Sequence, residues 1–403
     1  MSNQETLLRV EHLCQYFKAG GFVTKAVDDV SFDIKKGEVF GLVGESGCGK
    51  TTTGRSIIKL YNITSGSVYF KGVRIAAGTQ SYKDAIKQAK ADYAEKVKAP
   101  GADAAKLKAE LDAFVAEQKA QIRAAQRDQK NCDRDYARQR VAELNAKYQP
   151  LLEKAAGEEK TKLSAEYKNE LRKAKNTRLV TQIQMIFQDP IASLDPRMTV
   201  REIISEGLVI QGERDKKVID EKVYEMLELV GLVPEHATRY PHEFSGGQRQ
   251  RIGVARSIIM RPDLIIADEP VSALDVSVQA QVINLLNELR ERFGLTILFV
   301  AHDLSVVKYF SDRIGVMYFG KMVELASSDE LFAHPLHPYT RSLLSAIPLP
   351  DPIYEKARKR IVYNPLAEHD YSGDKPSFRE ILPGHFVQCN DAEERRYREE
   401  LGL

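Results

Sequence analysis

Eight consecutive residues, Gly44-Glu45-Ser46-Gly47-Cys48-Gly49-Lys50-Thr51, constrain this chain more than any other stretch. They meet every fixed position of the GxxxxGK[ST] pattern, a loop that cradles phosphates. A triphosphate presents crowded oxyanions, so the loop must bring bare backbone N–H groups close, at dihedrals that glycine adopts freely. Lys50 adds a point charge at the outer phosphates, Thr51 offers a hydroxyl to Mg²⁺, and a helix opening at Lys50 and running on through Thr52 aims its positive end at the anion. The flanks agree: residues 38–43 read as a buried strand entering the loop and residues 52–60 as the helix leaving it. A bound nucleoside triphosphate is the expectation.

The rest of the composition narrows the class. At 403 residues the chain can bury a large core, and its charges nearly cancel to +2, so no global field argues for nucleic acid. The four cysteines, Cys14, Cys48, Cys132 and Cys389, are scattered without paired spacing, which disfavours a disulfide framework or a zinc site. The start, MSNQETLLRV, lacks a basic region followed by an apolar run, so no secretory signal is expected. No apolar run approaches the roughly 20 residues of a membrane helix. A membrane role must come through a partner.

Two further stretches carry chemistry. Leu264-Ile265-Ile266-Ala267-Asp268-Glu269 is an apolar run ending in two acids, as expected of a buried parallel strand that delivers carboxylates to a site at its end. Asp268 suits Mg²⁺ through a water, and Glu269 suits a general base for an attacking water. Phe244-Ser245-Gly246-Gly247-Gln248-Arg249-Gln250-Arg251 precedes a helical pattern, with Ser245 as N-cap and glycines in the first turn, a second anion-binding helix end. Each stretch alone also has a bland reading, as a helix cap or a common turn.

Taken in order, these motifs resemble the ATP-binding cassette (ABC) ATPases. The phosphate loop is followed by a glutamine loop at Gln188 in Ile186-Phe187-Gln188-Asp189-Pro190, the signature Ser245-Gly246-Gly247-Gln248, and the Asp268-Glu269 pair. A dimer-contact loop, Ser272-Ala273-Leu274-Asp275, and a switch histidine, His302, complete the set. Phe244 stands where the family usually has Leu. The resemblance implies an α/β fold: a P-loop NTPase ABC nucleotide-binding domain with a RecA-like core, an antiparallel β subdomain and a helical signature subdomain. It would span residues 5–75 and 179–328, the signature subdomain lying within 179–262. It also implies an aromatic ring stacked on adenine, for which spacing from Leu13 selects Phe17 with Tyr16 as competitor. Gln188 would sense Mg²⁺ and couple to the transport partner, and His302 would contact the γ-phosphate of ATP. Ser245, Gly246, Gly247, Gln248 and Asp275 would serve a nucleotide shared with a second subunit, because the signature of one chain lies too far from its own phosphate loop.

The tail, residues 329–403, contains His334-Pro335-Leu336-His337-Pro338-Tyr339-Thr340-Arg341-Ser342-Leu343-Leu344. Physics alone gives this string no role beyond a connector. It resembles the ATPase subunits of oligopeptide and dipeptide permeases, and Gln248-Arg249-Gln250-Arg251 is more similar to the F-type subunit than to its D-type companion. The resemblance implies a heterodimer with a D-type subunit, two transmembrane permease subunits and an extracytoplasmic peptide-binding protein, with the chain peripheral at the cytoplasmic face of the membrane. Some relatives hold an iron–sulfur cluster on four tail cysteines; Cys389 is alone here, so no iron–sulfur cluster is expected.

Residues 79–178 form an insertion where the family usually has a short connection. Tyr82, Ile86, Ala89, Tyr93 and Val97 make one helical stripe. Leu107, Leu111, Phe114, Ile122, Ala125, Cys132, Tyr136, Leu144 and Tyr148 make a longer one, and Leu163, Tyr167, Leu171 and Ala174 a third. Pro100-Gly101 and the stretch from Pro150 to Gly157 punctuate them. The spacing predicts a middle helix of about 45 residues, about 70 Å long, with the two shorter helices parallel to each other and antiparallel to it. Roughly 23 basic and about 16 acidic side chains make this coiled-coil arm a solvated, basic surface. A chromosome-maintenance ATPase is the alternative such an arm suggests, though in those proteins the coil follows the glutamine loop, whereas here Gln188 comes after the insertion.

Overall fold

Val39, Phe40, Leu42 and Val43 are all fully buried, and that run of apolar residues becomes the central strand β3 (Val39–Val43) of the larger sheet. The computed structural model describes residues 5–99, 103–272, 274–347 and 360–403. Pro100, Gly101 and Ala273, singled out above, and the first four residues fall outside them.

Two long strands, β1 (Thr6–Ala19) and β2 (Phe22–Lys35), form a hairpin. With β4 (Ser65–Phe70) and β5 (Val73–Ala77) they make an antiparallel sheet of order β2-β1-β4-β5. Between the hairpin and β4 come β3 and helix α1 (Lys50–Ile57). The second sheet has the order β11-β12-β10-β9-β3-β8-β7-β6. Its strands are β6 (Ile183–Ile186), β7 (Leu264–Asp268), β8 (Thr296–Ala301), β9 (Arg313–Tyr318), β10 (Lys321–Ser327), β11 (Ser377–Leu382) and β12 (His385–Cys389). Strands β6, β7, β8, β3 and β9 pair in parallel, so their C-terminal ends lie on one edge, where open α/β sheets bind ligands. Residues from both sheets share one core, including Leu8, Phe32, Phe40, Ile57, Val68 and Leu298.

Helices α5 (Pro190–Ser193), α6 (Val200–Ile210), α7 (Lys216–Leu229) and α8 (Gly246–Ile258) form the signature-bearing helical layer. Thr199 and Glu202 close a capping box on α6, and Asp215 caps α7, the sequence chemistry that starts a helix. Val200, Ile204, Val223, Leu227, Ile252 and Ala255 bury their apolar faces in a core shared with α9 (Val276–Phe293) and the sheet.

The insertion folds as α2 (Gln80–Lys96), α3 (Ala104–Lys154) and α4 (Gly157–Asn176). At 51 residues α3 is about 75 Å long, and it runs through Pro150 to Lys154. The expected stop at Pro150 is therefore displaced, because a proline near the C-terminal end removes one hydrogen bond without ending the stacked turns. Tyr148 bonds Glu166 at 2.9 Å and Tyr167 bonds Asn145 at 2.7 Å, an antiparallel register between α3 and α4. The chain leaves the body at Gln80 and is back on it at Asp128, so α2 also opposes α3; the directions agree with the sequence reading.

The attachment differs from that of a free arm. The middle of α3 lies on the body: Arg74 Nη2 donates to Asp128 at 2.6 Å, and Lys59 Nζ to the Gln129 carbonyl at 3.2 Å. Asp133 accepts the Leu179 N–H at 2.8 Å. Cys132 and Tyr136 enter the shared core. Only this central part and a short seam of Leu144, Tyr148 and Ala174 are buried, while no described residue of α2 is. A sustained coiled coil is not shown, because apolar surface is covered where α3 meets the sheet and not along the full stripe.

The tail continues the main sheet, β12 pairing antiparallel with β10 and β11 with β12. Helix α10 (Leu304–Phe310) precedes β9; α11 (Ser328–Ala333) and α12 (Pro338–Ser345) follow β10. A final helix, Asp391–Glu400, packs on the last strands. Leu336, Ile381, Val387, Cys389 and Tyr397 form its small core, and burial pushes the Cys389 thiol up to about 12. No helix among the described residues is long and apolar enough to cross a membrane.

Replacing Tyr136 by Ala removes a ring that is 5% exposed within this core. It is expected to cost about 3 kcal/mol in denaturant unfolding, whereas Phe114→Ala, at a half-open position on the same helix, changes little. A second expectation concerns His337, which burial, aided by His369 and Arg341, pushes down to about 3 from 6.5. Between pH 6.5 and about 3 unfolding lets this ring gain a proton, so the folded state loses stability as pH falls through that window. The unfolding midpoint of the full chain should drop on acidification, and drop less in His337→Asn.

Candidate nucleotide site at the strand ends

The phosphate loop runs from the end of β3 to the start of α1. Gly44, Gly47 and Gly49 have φ of 150°, 82° and 107°. At Gly44 a Cβ would stand 2.2 Å from the Met317 carbonyl oxygen, and at Gly49 2.2 Å from that of Ala26. Neighbouring backbone presses on the loop at both glycines, so glycine is required for space as well as for dihedral. The Gly320 N–H donates to the Cys48 carbonyl at 2.9 Å. The Glu45 N–H donates to the hydroxyl of Tyr339 at 2.9 Å. Sequence reasoning gave Tyr339 no place here; its only signal was the recurring His-Pro string in which it sits.

Lys50 is 4% exposed, and its ammonium donates to the carbonyls of Gly44 (2.7 Å) and Glu45 (3.0 Å). Its Nζ is 3.8 Å from Glu269 Oε1. The Thr51 hydroxyl donates to Asp268 Oδ1 at 2.8 Å. Asp268 is fully buried, its Oδ2 has no partner among the described residues, and burial raises its carboxyl above the usual range against the opposing Thr51 bond. An orphaned buried carboxylate oxygen beside a hydroxyl is a donor set suited to a hard cation such as Mg²⁺.

Glu269 receives neighbours from two more strand ends. Gln188, beyond β6, donates Nε2 to Glu269 Oε2 at 2.9 Å, and His302 Nδ1, beyond β8, is 3.3 Å from the same oxygen. Glu269 holds φ at 42°, a left-handed conformation that costs a non-glycine residue about 1–3 kcal/mol and collects at functional sites. Asp189 caps α5 just after Gln188, and Asp303 caps α10 just after His302, so each of these side chains sits on a short, fixed exit from a buried strand. The structure brings together Lys50, Thr51, Gln188, Asp268, Glu269 and His302.

The other sequence candidates lie apart from this group. Ser245 and Gln248 form a capping box on α8, Ser245 Oγ accepting the Gln248 N–H at 3.3 Å and Gln248 Oε1 accepting the Ser245 N–H at 3.0 Å. The Ser245 hydroxyl proton remains available to an anion. Among the described residues a Cβ on Gly246 would meet only Leu274, at 3.8 Å, whereas one on Gly247 would meet Val278 at 2.6 Å. Asp275 opens α9 without a side-chain cap, and Ser272 Oγ donates to the Glu269 carbonyl at 3.1 Å. Phe17 is 37% exposed and meets Tyr61 edge to face. Tyr16 gives its hydroxyl to Asp28, which leaves Phe17 the freer ring of the two.

The ABC transporter family model matches residues 27–165 and 144–272, its two stretches overlapping within the inserted helices. The model described as the oligopeptide/dipeptide transporter C-terminal region matches residues 323–375. The chain is 47% identical over 390 residues to the oligopeptide transport ATP-binding protein OppF of Bacillus subtilis, covering 96% of this chain and 98% of that protein. It is 42% identical over 401 residues to AmiF of Streptococcus pneumoniae (98% and 99% covered). It is 40% identical over 407 residues to the dipeptide transport ATP-binding protein DppF of Lactococcus lactis (100% of both). Among solved structures, the dimeric post-hydrolysis state of the ATP-binding cassette MJ0796 bound to ADP and Pi superposes with TM-score 0.50 at 21% identity, covering 80% of this chain and 99% of that one. The ADP conformation of the cassette MJ1267 gives 0.50 at 19% identity (82% and 96%). These two likenesses concern the fold alone.

The loop geometry sets a stability test. Gly49→Ala should destabilise the nucleotide-free chain by about 3 kcal/mol or more, since strain adds to displacement of backbone. Gly47→Ala, with no atom of the described residues within 4 Å of its Cβ, should cost about 1 kcal/mol. Denaturant unfolding compares the two.

Proposed function

The chain belongs to the ABC transporter ATPases, in the branch marked by the oligopeptide/dipeptide transporter C-terminal region, and on that premise we propose that it binds and hydrolyses ATP to energise uptake of oligopeptides or dipeptides across the cytoplasmic membrane. The observation that carries the reading is the meeting of Lys50, Thr51, Gln188, Asp268, Glu269 and His302 at the C-terminal ends of parallel strands.

In this reading the loop N–H groups and Lys50 hold the phosphates, the ammonium exchanging two carbonyl partners for phosphate oxygens. Thr51, Asp268 and Gln188 would hold Mg²⁺, which when bound neutralises phosphate charge. Glu269 orients the attacking water as general base. Gln188 and His302, both on Glu269 before nucleotide arrives, keep that carboxylate aimed into the site. His302 contacts the γ-phosphate. Phe17 stacks on adenine. Ser245, Gly246, Gly247, Gln248 and Asp275 reach the nucleotide of a second, D-type ATPase subunit in a head-to-tail heterodimer, so loss of the shared γ-phosphate opens the pair. Two transmembrane permease subunits and an extracytoplasmic peptide-binding protein complete the transporter, with the chain at the cytoplasmic face. The chromosome-maintenance alternative is not favoured, since α3 is laid across the body by its middle where a DNA-bridging coil would stand free.

Glu269→Gln is expected to retain MgATP binding, lower turnover at least about 100-fold and trap a closed dimer with the partner subunit. ATPase assays and size-exclusion chromatography in MgATP read this out, and normal turnover would sink the assignment.

A further inference from the structure

The His-Pro string of the tail has so far no task, and its side chains form a continuous set of bonds from the main sheet to the phosphate loop. Glu324 on β10 is fully buried. Its carboxylate accepts the N–H groups of Leu336 (2.8 Å) and His337 (3.1 Å), and lies 2.8 Å from His385 Nε2. His337, 2% exposed, caps α12 by accepting the Tyr339 N–H on Nδ1 at 3.1 Å. Tyr339 is 1% exposed, with its ring 4.5 Å from that of Tyr318 and 5.5 Å from that of Tyr363. Its hydroxyl oxygen takes the Glu45 N–H.

We propose that residues 334–341 are a strut for the phosphate loop and that Tyr339 is a positioning residue for nucleotide binding. The inference rests on the nucleotide reading of the same loop. A loop that must aim several bare N–H groups at an anion needs its remaining N–H groups tied elsewhere, or they compete for solvent and the loop loses its curvature. Gly320 holds the loop at Cys48, and Tyr339 holds it at Glu45. With both points fixed, less ordering entropy is lost when nucleotide arrives. Tyr339 touches none of Gln188, Asp268, Glu269 or His302 among the bonds described above, so its effect falls on affinity and spares the hydrolytic step.

The test compares full-length wild type, Tyr339→Phe and Ser342→Ala. Ser342 lies on the same helix but donates to the Ile361 carbonyl at 2.9 Å. In Tyr339→Phe, the MgATP Kd by calorimetry and the KM for ATP should rise about three- to tenfold with kcat within about twofold. Hydrogen exchange at the Glu45 amide should accelerate while β3 amides keep wild-type rates, and Ser342→Ala should match wild type throughout. Unchanged affinity with unchanged Glu45 exchange overturns the proposal, as does a fall in kcat with KM constant. Should Tyr339→Phe fail to fold, 3,5-difluorotyrosine at 339, which keeps the shape and weakens the oxygen as acceptor, gives the same comparison. A wild-type chain that takes up no MgATP overturns the nucleotide reading instead, and Glu45 exchange still decides whether Tyr339 holds the loop.

Discussion

Close backbone approach around the phosphate loop is the constraint on which the rest depends. The Met317 and Ala26 carbonyls stand where Cβ atoms of Gly44 and Gly49 would be, so β9 and β2 together clamp the loop. That clamp fixes the direction of α1 and lets Lys50 lie buried against carbonyls of its own loop. It also sets Thr51 within bonding distance of Asp268. Because strand order places β3 between β8 and β9, the carboxylates and His302 arrive at the same edge with no long side chain needed to reach them.

Two additions attach to this centre by different physics. The insertion is joined through an ion pair, Arg74 with Asp128, a hydrogen bond from Lys59 to the Gln129 carbonyl, and one buried stretch with Tyr136 in the core. The outer parts of its helices remain solvated and rely on intrinsic propensity and i,i+3 or i,i+4 contacts such as Arg140 with Glu143. The tail is joined by sheet extension and by a buried carboxylate, Glu324, whose three partners offset the cost of removing it from water. One addition leans on the body; the other is built into it and ends on the phosphate loop.

Much of the candidate site was legible in the chain. Gly44 through Thr51, Asp268 and Glu269 declare themselves because phosphate and cation chemistry admits few residue types at fixed spacing. Gln188 and His302 were legible by family resemblance and, taken singly, resemble ordinary turn residues; their shared contact with Glu269 depends on three separate strands, β6, β7 and β8, registering together. Spacing from Leu13 put Phe17 ahead of Tyr16, whereas the bond from the Tyr16 hydroxyl to Asp28 has no local sequence signal. The helical nature of the insertion followed from 3.6-residue periodicity, but its seat did not. Stripe residues at Cys132 and Tyr136 look the same in sequence as Phe114, which stays open to solvent.

By itself the sequence determined local conformation and chemistry: which segments are strand or helix, where glycine is obligatory, and which side chains can hold an anion or a cation. Such properties are set by residues a few positions apart, within reach of steric and hydrogen-bonding rules. Only tertiary structure decided that α3 rests on the body by its middle, that the tail strands extend the main sheet, and that Tyr339 meets Glu45 across 294 positions. Those pairings depend on which buried surfaces find complementary partners, and hydrophobic burial, being non-directional, leaves that choice to the packing of the whole chain.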